Sequence, residues 1–308
     1  MAIAPVMPMS HEAAECPQIA ALIRGFSLEA TRPKLADIES LRDVAPAGAD
    51  VYLSAVPGHA IDEALVPAAA LRASGFEPVP HIAVRNFDST DALDRLLGEL
   101  AERARVKRVL VIGGDRDRPA GPFHTAVEVI DSGLLQRHGI GEIGIAGYPD
   151  GHPRLPPLEL DRALAAKIEA AEQSGLKLSI VTQFCFSAEA IVRWLTRLRD
   201  LGIDHPVRIG LAGPTNLASL LKYAQRCGVK ASTLGLARQT GLARHMFGMA
   251  APDTIVRPLA EACVGNQLGE VTLHFFGFGG PVATARWASA VAAGSFSLTG
   301  SDGFHVDA

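Results

Sequence analysis

A few side chains stand out for the chemistry their type and neighbours allow. Glu29 lies in Phe26-Ser-Leu-Glu29-Ala, a carboxyl inside an apolar run. Desolvation there raises a carboxyl pKa, which suits a general acid working near neutrality; the alternative is a structural ion pair with Arg24 or Arg32. Asp115 follows Gly113-Gly114, a pair that lets backbone approach a planar or phosphorylated ligand, although Gly-Gly-Asp is also a common turn. His81 and His152 have no second His or Cys at ligand spacing, which favours hydrogen bonding over a metal. Gln183-Phe184 ends a further apolar run with an amide and an aromatic ring, and Cys185, between Phe184 and Phe186, reads as core and not as a nucleophile. Gly277-Phe-Gly-Gly280 either cradles a phosphate or makes a tight turn.

These groups need elements to position them, and most of them end short β-rich runs. Eight such runs, at residues 25–30, 50–56, 77–84, 106–113, 142–147, 176–184, 206–212 and 270–276, alternate with segments of helical period. Arg108-Val-Leu-Val-Ile and Leu178-Ser-Ile-Val are apolar nearly throughout, as parallel strands covered on both faces are. The helical segments are 35–44, 61–74, 89–104, 125–135, 159–174, 188–201, 216–227 and 282–293, with Ser89 and Ser187 as N-caps. In the fifth, Leu160, Leu164, Ile168 and Ala171 form one buried stripe. Eight strand–helix units predict an α/β fold, a (β/α)8 TIM barrel; a doubly wound sheet is the weaker alternative because no G-x-G-x-x-G turn follows the first strand. Reacting groups then converge at the C-terminal ends of the strands. The pattern predicts extra helices between strands seven and eight (229–268), a flexible N-terminal tail at 1–18, one barrel domain at 19–299 and a C-terminal tail at 300–308.

Composition narrows the class. With 29 Lys+Arg against 33 Asp+Glu the net charge is −4, which argues against nucleic acid as a partner. Hydrophobic residues at 48% and charged residues at 20% describe a globular chain with a large core. Four scattered cysteines without a C-x-x-C pair fit a reducing cytoplasm. The first ten residues do not read as a signal peptide, and no run reaches the roughly 18 apolar residues a membrane span needs. Homo-oligomerisation is left open.

At Gly144-Ile-Ala-Gly-Tyr-Pro-Asp-Gly-His-Pro153 the sequence resembles the flavin-dependent methylenetetrahydrofolate reductases, supported in the same order by Phe26-Ser-Leu-Glu29, Pro80-His81, Gly114-Asp115 and Thr182-Gln183-Phe184. The resemblance covers residues 24 to about 215 and fades over the last 90 or so. It implies a (β/α)8 barrel with non-covalent FAD, NAD(P)H as diffusible electron donor, and hydride transfer between 5,10-methylenetetrahydrofolate and 5-methyltetrahydrofolate. It makes Glu29 the acid that protonates folate N10, Asp115 the stabiliser of the resulting 5-iminium cation, and Gln183 with Phe184 the substrate contacts. Around FAD it places His81, Ile112, Gly114, Asp115, Thr125, Ala126, Tyr148, His152 and Asp161, with Lys167 for the diphosphate. The chain departs from the family at Val56-Pro57-Gly58 for Thr-Tyr-Gly, Gly113 for Arg, Thr125 for Tyr, Leu164 for Asn and Phe278-Gly279-Gly280 for an Asn-Arg pair. Arg238 or Arg244 is a candidate to replace that Arg. Each departure removes a flavin or folate contact, so the alternative is a redox-inactive folate-binding or regulatory barrel. A flavin-free methyltransferase would need a corrinoid or thiol partner, to which nothing in the sequence points.

Overall fold

The computed structural model describes residues 11–306 apart from 57, 61, 228–248 and 266. Eight parallel strands run along the chain: β1 (Ser27–Ala30), β2 (Asp50–Leu53), β3 (Glu77–Ala83), β4 (Arg108–Ile112), β5 (Glu142–Gly147), β6 (Lys177–Thr182), β7 (Val207–Ala212) and β8 (Val271–Phe276). Each pairs with its neighbours in sequence, and β8 returns to β1 with Ser27 opposite His274 and Glu29 opposite Phe276, which closes the barrel. The fold is the expected (β/α)8 barrel, and closure removes the doubly wound alternative.

Alternation along the strands sorts their side chains. Leu28, Val51, Val109, Ile143, Ile180, Ile209 and Phe275 face outward into the main core with the helices. The inward Tyr52, Val79, Leu110 and Val181 form a separate cluster with Ile112 against it. Gly144 leaves them room: a Cβ there would lie 2.9 Å from Leu110 Cδ1 and 3.1 Å from Val181 Cγ2. Beneath them Asp50 accepts from Arg108 and, at 2.7 Å, from Arg208, and Arg108 also pairs with Glu142. This ion network plugs the N-terminal end, so the barrel is open to ligands at the opposite end.

The outer layer comprises α1 (His11–Ile23), α2 (Leu35–Leu41), α3 (Leu65–Ala73), α4 (Thr90–Ala104), α5 (Ala126–Asp131), α6 (Leu134–Arg137), α7 (Pro157–Gln173), α8 (Ala188–Asp200), α9 (Leu217–Cys227), α10 (Asp253–Ala262) and α11 (Pro281–Ala292). The Ser89 hydroxyl accepts from Ala92 N and the Ser187 hydroxyl from Ala190 N, so both expected caps form. The single helix expected over 125–135 is instead two, because Gly133 takes φ +74° between α5 and α6. Of the insertion expected at 229–268, α10 is seen, while 228–248, with the candidates Arg238 and Arg244, lies outside the described residues.

Both expected tails require correction within the described residues. Helix α1 begins at His11 and buries Ile19, Leu22 and Ile23 in the main core. At the other end β9 (Phe296–Thr299) and β10 (Gly303–Val306) form an antiparallel hairpin. Its Phe304 stacks on Trp287 of α11 at 5.8 Å and tilts against Phe296 at 4.9 Å. Arg257 of α10 joins the two ends, pairing with Glu15 at 2.7 Å and donating to the carbonyls of Gly300 and Gly303. Burying these rings and aliphatic groups favours order over a solvated tail.

Candidate active site

Glu29 stands near the C-terminal end of β1, its side chain 11% exposed. Oε1 accepts from the Ser54 hydroxyl at 2.7 Å. Oε2 faces His274 Nε2 at 3.4 Å and His81 Nε2 at 3.6 Å, and His81 Nε2 has no hydrogen-bond partner among the described residues. His274, fully buried in β8, uses its other ring nitrogen on the Ser27 hydroxyl at 2.9 Å. With Ser27 as donor there, the His274 Nε2 proton is directed at the carboxylate. Tyr52 supports both imidazoles from below, edge-on at 4.6 Å to His274 and 6.1 Å to His81. Its hydroxyl is buried and has no hydrogen-bond partner among the described residues, and burial pushes its pKa up to about 12.

The expectation of a raised Glu29 pKa is overturned by these partners. Burial alone would raise it, but the His81 imidazole and the hydrogen bonds from His274 and Ser54 outweigh burial and hold the carboxyl below its usual value. Burial meanwhile pushes His81 down, opposed by Glu29. Of the alternative Arg partners, Arg32 instead engages Glu63, its Nε 2.6 Å from Oε1.

A second group forms where β4 and β5 end. Gly114 has φ +87°, and a Cβ on it would lie 3.1 Å from that of Ala83 at the end of β3, so a glycine is needed both for the turn and for the close approach. Arg85 fixes the loop that follows, taking Gly113 O on its backbone N and donating Nε to His124 O at 2.8 Å. Asp115 is exposed beyond Gly114, and its charge acts on both Tyr148 and His152. Those two rings meet edge-on at 5.1 Å. Burial first, then Asp115, raises the Tyr148 hydroxyl; burial and Arg154 lower His152. Arg154 ties this loop to the previous one through Asp117 at 2.6 Å.

The third side is aromatic. Phe184 is buried and meets Phe186, Phe276 and Phe278 edge-on at 5.0 to 5.6 Å, and Tyr223 stacks on Phe278 at 4.0 Å. Gln183 is half-buried beside Phe184, its amide oxygen accepting from Phe184 N. Cys185 is core, as expected, and its thiol donates to Asp150 at 2.8 Å. The Gly277–Gly280 stretch is a tight crossing: a Cβ on Gly277 would lie 2.7 Å from Glu29 O, and one on Gly279 only 2.1 Å from Pro214 O.

The residues expected around FAD divide into two sets. His81, Gly114, Asp115, Tyr148 and His152 gather at the β3–β5 mouth, where the unpartnered His81 Nε2 and the side-chain-free Gly113-Gly114 backbone suit a flat ring with polar edges. Ile112 joins the cluster inside the barrel below them. The expected nucleotide-end residues are otherwise engaged. Thr125 caps α5 in a capping box with Glu128, Ala126 is buried, and Leu164 is in the core. Asp161 pairs with Arg197 of α8, and Lys167 donates to Ala146 O at 3.0 Å with burial lowering its pKa to about 8. The ring end of the cofactor fits this mouth, while its diphosphate end would have to draw Lys167 away from a carbonyl.

Sequence reasoning missed Ser54, Tyr52 and His274. The available signal was parity: in Val271-Thr-Leu-His-Phe-Phe276 the inward positions are Thr272, His274 and Phe276, and a histidine there faces the barrel interior.

Among the described residues no group of three or more His, Cys, Asp or Glu is arranged to hold a metal ion, and no helix is long and apolar enough to cross a membrane. Residues 28–235 match the family model described as methylenetetrahydrofolate reductase. Methylenetetrahydrofolate reductase 2 of Saccharomyces cerevisiae is 30% identical over 162 residues, 49% of this chain and 26% of that protein. The 5,10-methylenetetrahydrofolate reductase of Pectobacterium carotovorum is 27% identical over 162 residues, 51% and 50% of the two chains. The match thus spans half or less of these relatives. A solved structure from Clostridium thermocellum, described as binding two copies of 5-methyl-5,6,7,8-tetrahydrofolic acid, aligns at TM-score 0.56 and 12% identity over 89% of this chain and 96% of that one, a likeness of fold. With the family model covering more than half of its length, the chain belongs to the methylenetetrahydrofolate reductase family.

Proposed function

We propose that the chain interconverts 5,10-methylenetetrahydrofolate and 5-methyltetrahydrofolate, with Glu29 as the acid. The observation that carries this reading is one carboxyl at the inner end of the mouth, flanked by a hydroxyl and two imidazoles. In the reducing direction Glu29 takes up a proton and gives it to folate N10, opening the five-membered ring to a 5-iminium cation. Asp115 supplies negative charge to that cation. The Phe184, Phe276 and Phe278 rings offer a wall for the flat pterin, and Gln183 an amide for its edge. FAD, when bound, supplies the hydride chemistry that no side chain offers, and NAD(P)H is the diffusible electron donor. His81, Tyr148 and His152 would line the flavin ring, and Lys167 would meet the diphosphate.

One observation favours a second reading, a folate-binding barrel without redox chemistry: Asp161 and Lys167 are both held by protein groups. The visible spectrum of the purified protein, with chromatography of what heat releases, separates the two. FAD in near-equal amount, from the protein as isolated or after incubation, is the expected result. A colourless protein that rejects FAD and still binds folate would replace the first reading by the second.

A further inference from the structure

Glu29 has two chemically distinct sides. Oε2 faces two imidazoles: His274, fully buried with its other nitrogen on buried Ser27, and His81, whose Nε2 has no hydrogen-bond partner among the described residues. Oε1 faces outward. Ser54 Oγ donates to it at 2.7 Å, and Thr31 Oγ1 lies 2.9 Å from Ser54 Oγ, on the exposed rim. A serine hydroxyl has one proton, and that of Ser54 is directed at the carboxylate, so Ser54 accepts from Thr31. The result is a directed chain, Thr31 to Ser54 to Glu29, running along the β1–β2 seam to solvent.

Local structure holds this chain in place. Ala30 pairs with Leu53 in the β1–β2 ladder, and Ser54 N continues it to Ala30 O at 3.3 Å, which sets the two hydroxyls side by side. Immediately after Thr31, Arg32 takes φ +51°, an uncommon conformation for a residue with a side chain, and its ion pair with Glu63 pins the turn.

We propose that Thr31 and Ser54 form a proton relay that reloads Glu29 from solvent while substrate covers the mouth; this rests on the reading of Glu29 as the acid. Once Glu29 has given its proton to N10, Ser54 passes its hydroxyl proton to Oε1. Thr31 replaces the proton lost by Ser54, and a hydronium ion or protonated buffer in the solvent replaces that of Thr31. One proton moves from solvent to the carboxylate, no other bond changes, and both hydroxyls then rotate back. The relay works equally in the oxidative direction, carrying the proton outward. Thr31 and Ser54 act through Glu29 and are positioning residues.

The test is turnover of 5,10-methylenetetrahydrofolate by the wild type, Thr31→Val and Thr31→Ser. Thr31→Val keeps the shape of an exposed side chain and removes its hydroxyl. Its kcat is expected to fall about tenfold, less than the loss of the acid itself would cost, with KM for folate unchanged. Its rate should also rise with the concentration of a small acid such as imidazolium, which can deliver the proton in place of the relay, and T31S should restore the wild-type rate without added acid. A wild-type rate in Thr31→Val, or a loss that neither imidazolium nor T31S repairs, would overturn the relay alone. A wild type that never turns over folate would instead overturn the reading of Glu29, and the relay with it.

Discussion

Glu29 illustrates how much of a residue's chemistry lies in its partners. Its place in an apolar strand end was legible, and so was the direction in which burial acts on it. The net direction was not, because the compensating groups lie far off in sequence, at His81 on β3, His274 on β8 and Ser54 after β2, and strand pairing and barrel closure bring them to Glu29. A depressed carboxyl pKa stabilises the folded state above the unfolded carboxyl value, and that contribution is lost as pH falls through the folded one. The same depression sets the rate profile: if the protonated form is the acid, activity declines as pH rises through the Glu29 pKa. Replacing His274 by Leu keeps the bulk and removes one donor to the carboxylate, so the Glu29 pKa rises. The alkaline limb of kcat in H274L is therefore expected at higher pH than in the wild type, and a limb unmoved or moved lower would show that His274 does not tune the acid.

Among elements, the eight barrel strands were readable because strands buried on both faces leave continuous apolar runs such as Arg108-Val-Leu-Val-Ile. The two ends were not. In α1 the buried Ile19, Leu22 and Ile23 share the helix with Pro17, and in the β9–β10 hairpin the ordering groups are two phenylalanines that find Trp287 only in three dimensions. The break between α5 and α6 had a local signal, Gly133, which the helical period of the flanking residues outweighed. At Gly114 the element-scale reason is backbone geometry. Gly114→Ala places a Cβ at φ +87° and 3.1 Å from that of Ala83, a cost of about 1–2 kcal/mol from the left-handed conformation alone. Calorimetry should show a melting temperature lowered by about 2–3 °C, and an unchanged one would mean that the β4 loop is less constrained than its contacts with Arg85 indicate.

On the scale of the whole molecule, the barrel divides labour between its ends. The Asp50, Arg108, Arg208 and Glu142 network fills the N-terminal end with paired charge, and the opposite end gathers Glu29, an aromatic wall and a glycine-lined approach. Residues named from motif and position, Glu29, His81, Asp115, Tyr148, His152, Gln183 and Phe184, fall at or near this one end. Asp161 and Lys167 were placed by family resemblance across a helix whose Leu164 turns into the core, and there the protein's own contacts differ. The most direct measurement is 5-methyltetrahydrofolate formed from 5,10-methylenetetrahydrofolate and a reductant by the wild type and by Glu29→Gln. The account predicts turnover in the wild type and a loss on the order of 10²- to 10⁴-fold in E29Q, the contribution of a positioned general acid. Turnover at the wild-type rate in E29Q would contradict it.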